Sequence, residues 1–271
     1  MQSRNLSPGL QALEAWFGGR GYDTHRHDVY GISLTDAGLQ VFDYRGARRV
    51  STPGQIVVLH PDEAHDGRAG TPDGFGYRIV YVAPAHVAEA VRALCGRPCS
   101  LPFAREPVIR NTTLAEAVVD AFRDVPEPLA VDGVVLRVAE ALLDIDRSCG
   151  GARPIRLDRT ALLRARALLD AETERVVRSS ELEAATGLTR YELARQFRAA
   201  FGTSPYRYSL LRRLDRARAE MRRRHPLADV ALLAGFADQP HLSRMFKSAF
   251  GITPARYSAL WRTPRREGRR Q

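Results

Sequence analysis

Gln239-Pro-His-Leu-Ser-Arg-Met-Phe-Lys-Ser-Ala-Phe-Gly-Ile-Thr-Pro-Ala-Arg-Tyr257 reads as an amphipathic helix that stops at Gly251 and turns at Pro254. Tyr191-Glu-Leu-Ala-Arg-Gln-Phe-Arg-Ala-Ala-Phe-Gly-Thr-Ser-Pro-Tyr-Arg-Tyr208 repeats it 49 positions upstream. Leu193 and Leu242, Arg195 and Arg244, Phe197 and Phe246, Phe201-Gly202 and Phe250-Gly251, Pro205 and Pro254, Tyr208 and Tyr257 all coincide at that offset. Two copies of one helical unit organise the C-terminal part of the chain, and internal repetition outranks local propensity.

Each copy extends into a helix-turn-helix. In the first, Ser180-Glu-Leu-Glu183 has the form of a capping box, Gly187 ends the helix, and Thr189-Arg-Tyr-Glu192 opens the next with a second box. In the second, Asp229 to Ala234 forms the first helix, Gly235-Phe236 the turn, and Ala237 or Asp238 caps the next helix, where Pro240 sits in the first turn at no cost. Ahead of both, a helix from about Arg159 to Ala171 buries Leu162, Leu163, Ala165 and Leu169 or a subset. Between the copies, Pro205 to Arg224 reads as one helix of about 30 Å at ~1.5 Å per residue. Major-groove faces on one side of B-DNA recur every ~34 Å. A stiff spacer of that length therefore sets two helices into consecutive grooves of one duplex.

Charge agrees. From Asp158 onward there are 24 Lys and Arg against 12 Asp and Glu, a net of +12, while the first 157 residues carry 17 against 19, a net of −2. The surplus points to a polyanion partner for the repeat-bearing half alone, with Arg212, Arg213, Arg216, Arg218 and Arg222 to Arg224 as phosphate neutralisers. Leu193, Phe197, Phe201, Leu242, Phe246 and Phe250 fall on the faces expected to be buried. The opposite faces present Arg190, Tyr191, Ala194, Arg195 and Arg198 in the first copy. In the second they present Gln239, His241, Ser243, Arg244 and Lys247, side chains suited to base edges and phosphates.

The rest of the chain is built differently. No apolar run reaches the length of a membrane span and the N-terminus lacks a secretory layout, so a cytoplasmic protein is expected. Cys95, Cys99 and Cys149 show no zinc-finger spacing. Residues 1–105 read as short strands broken by Asp36-Ala-Gly38, Arg45-Gly46 and Thr52-Pro-Gly54, the pattern of a sandwich or barrel; Leu10 to Phe17 is read as a strand. Ala85 to Leu94 and Thr113 to Phe122 then read as helices. Val131, Val135, Val138, Leu142 and Ile145 form a seam, either a homodimer interface or a face laid on the β-domain. The expected fold class is α+β. A β-domain spans 1–105 and a helical dimerisation or packing segment 106–150. A linker follows over 151–157, overlapping the turn-rich run Ser148 to Pro154, then a DNA-binding domain over 158–262 and a disordered basic tail over 263–271.

Gly235 to Tyr257 resembles the signature of AraC/XylS-type transcriptional regulators over its full length, and Gly187 to Tyr208 matches its weaker half. The resemblance implies a seven-helix DNA-binding domain over about Asp158 to Leu260; Glu183 departs from it, standing where that family has a small residue. Thr24-His-Arg-His-Asp28, Pro53-Gly54 and Pro61-Asp-Glu-Ala-His65 resemble the cupin-like sensor domain common in that family. It implies an antiparallel β-barrel and, in cupin enzymes, a metal held by an H-x-H pair, a Glu and a later His. Here His25, His27 and His65 supply three nitrogens and Gly31 stands at the Glu position. The alternatives are that these histidines fix strands and turns, or line an organic-ligand pocket with Tyr44 and Tyr77. No cofactor and no enzymatic activity is expected. The expected partners are double-stranded DNA, a small-molecule effector and RNA polymerase. Two other readings are a cupin-type enzyme fused to a DNA-binding domain and a constitutive DNA binder whose β-domain only dimerises.

Overall fold

A computed structural model describes residues 1–260 apart from 20, 124–126, 147 and 149–151. The expected tail over 263–271 and the centre of the expected linker lie outside the described residues.

Among the described residues ten strands form two antiparallel sheets. The six-stranded sheet has the order β1 (Gln2–Ser7), β2 (Leu10–Phe17), β9 (Phe75–Val82), β4 (Tyr30–Gly38), β7 (Ile56–Leu59), β10 (Val108–Ile109). The four-stranded sheet has the order β3 (Tyr22–His25), β8 (His65–Ala69), β5 (Gln40–Tyr44), β6 (Ala47–Ser51). Side chains alternate across a strand, and the larger sheet is buried on both faces. Ala15, Val57, Leu59, Tyr77 and Ile79 face the smaller sheet with Phe42 and Tyr44. Leu10, Ile32, Val58, Val80 and Val82 face three helices, α1 (Pro84–Cys95), α2 (Thr112–Arg123) and α3 (Pro128–Ile145). Among the described residues the strands pair as two facing antiparallel sheets.

The seam residues of α3 are spent inside the chain: Val131, Val135, Val138 and Leu142 are at most 8% exposed and belong to the core shared with α1, α2 and the large sheet. Of the two alternatives, the face laid on the β-domain is the one observed.

Among the described residues seven helices follow: α4 (Arg159–Ala171), α5 (Ser179–Thr186), α6 (Arg190–Phe201), α7 (Pro205–Arg222), α8 (Leu227–Leu233), α9 (Gln239–Phe250) and α10 (Pro254–Ala259). Both repeat helices end on a left-handed glycine, Gly202 at φ 69° and Gly251 at φ 74°, a conformation that spares a residue without Cβ. Asp238 caps α9, its carboxylate accepting from His241 N at 2.6 Å. The Thr189–Glu192 box is formed in both directions, at 3.4 and 3.0 Å.

The box expected at Ser180 is not. Helix α5 starts two residues earlier, capped at Arg178, Glu181 accepts from Arg178 N at 2.9 Å, and Ser179 donates to Asp132 of α3. Glu183 accepts from the amide of Arg190 at 2.8 Å, so the departure at that position serves an orphan donor at the N-terminus of α6. Leu163, Phe250 and, in part, Phe201 fall outside the core: Leu163 is 52% and Phe250 36% exposed. In α4 only one stripe is needed, and the last turn of each repeat helix already reaches solvent.

Candidate DNA-reading helices and effector cavity

Helix α6 turns most of its expected reading face away from solvent, with Arg198 left exposed. Tyr191 is 1% and Ala194 8% exposed, and both belong to the core that runs through α1, α2 and α3 to the large sheet. Arg195 donates to the carbonyls of Leu94 (3.1 Å) and Ala93 (3.4 Å) and to Arg153 O. Those α1 carbonyls lie in its last turn, where no intrahelical donor remains and the dipole favours a cation. Arg198 pairs with Glu140 of α3. Arg190 lies 3.8 Å from Asp132. The residues expected to read DNA in the first repeat are thus the residues that dock it on the β-domain half.

Helix α9 is placed differently. Gln239, Arg244 and Lys247 are exposed, Ser243 half-buried, and His241 is buried at 2%, its ring edge-on to Phe236 with centroids 5.3 Å apart. His241 is therefore a packing residue in this structure, a correction to its expected place on the reading face. Helices α6 and α9 flank α7, whose 18 residues span about 27 Å at ~1.5 Å per residue.

The expected run of phosphate neutralisers also needs correction. Arg213 has a side chain 0% exposed and gives two 2.8 Å hydrogen bonds to Glu127 at the N-terminus of α3. Its other donors reach Gly235 O (2.7 Å) and Ala234 O (3.3 Å), and it lies over the Phe236 ring. Arg216 bonds Leu233 O and pairs with Glu174. Arg213 sits on the inner stripe of α7 and reads as basic in sequence only because its partner, Glu127, lies 86 residues away.

Between the two sheets lies a cavity of about 170 Å³. His25, His65 and Tyr77 line it, as expected, joined by Tyr22, Ser33 and Gln40, which sequence reasoning missed. Ser33 shares its row on β4 with Gly31 and Thr35, and Gln40 opens that of Phe42 and Tyr44 on β5, so residue type alone did not single them out. Tyr44 is not on the wall. It is buried, donating to or accepting from His60 Nδ1 at 3.3 Å and accepting from His60 N at 3.0 Å. His27 borders a separate, shallower depression with Asp28 and Tyr81.

The His25, His27 and His65 rings do meet, with centroids 4.4 to 6.2 Å apart. Each Nδ1 bonds a backbone carbonyl, of Asp23, Val29 and Glu63 respectively, at 2.8 to 3.0 Å. Gly31 faces the same space, and a Cβ there would meet Ile79 Cδ1 at 3.1 Å and His27 Cε1 at 3.4 Å, so any side chain at this position would have to displace a neighbour. Among the described residues no group of three or more His, Cys, Asp or Glu is disposed to hold a metal ion, so the donor set does not fit the metal that the cupin resemblance implies. Burial, helped by the neighbouring His25 and His27, pushes His65 down to about 4 and leaves it neutral at pH 7.

A two-sheet domain with an internal cavity, joined to a repeated helix-turn-helix, matches two protein-family models. Residues 7–137 match an AraC-like ligand-binding domain and residues 182–259 a helix-turn-helix domain. The chain belongs to the AraC family of transcriptional regulators. An HTH-type transcriptional regulator of Bacillus subtilis, YbfI, is 23% identical over 231 residues, covering 82% of this chain and 81% of its own length. An AraC-type DNA-binding-domain protein of Chromobacterium violaceum is 30% identical over 39% of this chain and 96% of its own, with a TM-score of 0.36. Vibrio cholerae ToxT, solved with (E)-4-(8-methylnaphthalen-1-yl)but-3-enoic acid, is 13% identical over 93% of this chain and 99% of its own, with a TM-score of 0.38. Among the described residues no helix is long and apolar enough to cross a membrane.

The domain interface of this AraC-family chain carries a titratable group. Burial raises the Asp132 carboxyl to about 6, while Ser179 and Arg190 pull it down and Glu183 and Glu89 push it up. The docked form therefore binds this proton more tightly than a solvated aspartate, whose ordinary value is 3.8. Docking is strengthened as pH falls through 6 and weakened as pH rises through it. Between pH 7 and 5 the wild-type chain should gain about 1 kcal/mol of stability relative to Asp132→Asn. Parallel denaturant titrations of the two proteins check this; identical pH slopes would show that Asp132 does not titrate in that range.

Proposed function

We propose that this regulator reads two consecutive major grooves with α6 and α9, and that an effector bound in the β-domain controls whether α6 is free to do so. One observation carries the reading: the α6 face bearing Tyr191, Ala194 and Arg195 is buried against α1 and α3. A helix cannot fill that seat and a groove at once. The docked chain offers DNA only α9, with Gln239, Arg244 and Lys247, and the released chain offers both helices.

The link to the effector is physical. The core that encloses Tyr191 is continuous with the outer face of the large sheet, whose inner face lines the cavity. A ligand that shifts β4 or β9 acts on α1 and α3 through packed side chains, and it changes occupancy only as far as it binds the docked and released forms unequally. On a promoter, the released chain would recruit or obstruct RNA polymerase. A homodimer, if formed, uses a surface other than the α3 seam.

Glu140→Arg tests the reading from the β-domain side. It places a cation beside Arg195 and Arg198 without altering any residue expected to touch DNA. Like-charge juxtaposition costs on the order of several kcal/mol, so the full chain should bind operator DNA about tenfold more tightly, at fixed salt, by fluorescence anisotropy. Unchanged affinity in a folded variant would sink the proposal that docking restrains α6.

A further inference from the structure

Two polar atoms on the cavity wall have no hydrogen-bond partner among the described residues. Ser33 Oγ and Gln40 Oε1 belong to residues only 3% exposed, on β4 and β5, in opposite sheets. Gln40 Nε2 already donates to Tyr22 OH at 3.3 Å, which leaves the amide oxygen as the free acceptor. A buried polar atom without a partner is destabilising, because it has given up its water and received no bond in return. Two of them facing one cavity are the polar half of a binding site.

The rest of the wall sets the ligand class. Among the described residues no Asp, Glu, Lys or Arg lines the cavity, and of its two histidines, His25 and His65, burial holds His65 neutral. A charged ligand seated on Ser33 and Gln40 would be stripped of water with no carboxylate, ammonium or guanidinium beside it. Phe17 and Tyr77 stack to form one wall, their rings 12° from parallel with centroids 6.1 Å apart, and Tyr22 meets Phe17 edge-on at 5.5 Å. An apolar cavity of about 150 Å³ takes one benzene-sized molecule. A volume of about 170 Å³ takes one ring with a small substituent.

Building on the effector reading above, we infer that the effector is an uncharged single-ring aromatic or heteroaromatic compound bearing an O–H or N–H, of the phenol class. Its donor meets Gln40 Oε1, its acceptor meets Ser33 Oγ, and its ring lies against the Phe17–Tyr77 wall. The class is set by neutrality, by size and by that donor, so toluene fits the ring space without the hydrogen bonds, and benzoate and benzylamine each bring an uncompensated charge.

The test uses the full chain with phenol, toluene, benzoate and benzylamine at equal millimolar concentrations, read by thermal unfolding and by titration calorimetry. Phenol should raise the unfolding midpoint, toluene less, and the two charged compounds not at all. Ser33→Ala and Gln40→Leu should each weaken phenol binding about tenfold, to the level of toluene. Ser33→Ala removes an unpaired buried oxygen, so its unliganded midpoint should equal or exceed that of the wild type, which separates lost binding from lost folding. The inference is overturned if phenol gives no shift, if benzoate or benzylamine matches it, or if both variants bind phenol as the wild type does. Phenol binding without a change in operator affinity sustains the ligand class and overturns the effector reading. Benzoate binding that changes operator affinity does the reverse.

Discussion

Glu127→Ala is expected to raise the affinity of the full chain for operator DNA at least tenfold while lowering its unfolding midpoint. The carboxylate of Glu127 receives two 2.8 Å bonds from Arg213, whose side chain is wholly buried. Removing one member of a buried pair costs about 3–5 kcal/mol, because the other charge is left without compensation. That cost can be relieved in two ways. The helical domain can unfold, or it can leave the β-domain and let water reach Arg213. The second requires less: Arg213 keeps its bonds to Gly235 O and Ala234 O and its place over Phe236, all within the helical domain. Arg213→Ala should act with the opposite sign on DNA binding. It strips those carbonyls at the turn before α9 and strands Glu127 at the N-terminus of α3. Anisotropy titrations of both variants against the same operator separate the cases, and affinity falling equally in both would show that the pair supports the helical domain rather than docking.

That ion pair also marks what the sequence could and could not reveal. The repeat was legible because Phe197 and Phe246, Gly202 and Gly251, and Pro205 and Pro254 answer purely local demands of helix period and helix termination. The strands were legible for the same reason, since Ile32, Leu34, Val57, Leu59, Val80 and Val82 alternate or run unbroken on their own segments. Docking has no such local trace. Arg195 has the same spacing within its helix whether it meets a guanine or the end of α1, and a polar outer face looks alike when solvated, bound to DNA or seated on another domain. Arg213 looked like a phosphate contact because Glu127 lies far away in sequence. The cavity was half legible. The His and Tyr positions drew notice by residue type, whereas Ser33 and Gln40 matter only through having no partner, which is a property of the fold.

Phe246→Ala is expected to abolish operator recognition while leaving the β-domain and its ligand response in place. Phe246 is fully buried among Leu214, Met221, Val230, Phe236 and Leu242, its ring centroid 4.6 Å from Phe250 and 5.4 Å from Tyr257. Truncating a core phenylalanine costs about 3–5 kcal/mol. None of the buried residues of that cluster belongs to the core around Phe197 or to the core that holds Tyr191, so the damage is confined to α8, α9, α10 and the second half of α7. Phe197→Ala removes a similar volume but reaches further, because its cluster includes Leu129 of α3; it should weaken docking as well as the first reading helix. The measurable contrast is cooperativity. In Phe246→Ala the second unit should melt in a separate, earlier step, visible by hydrogen exchange in α9, with the phenol-dependent shift of the later step intact. In Phe197→Ala the loss should spread to α1 and α3. A single cooperative transition in both variants would mean that the Glu127–Arg213 pair couples the second unit to the rest strongly enough to outweigh the separation of their cores.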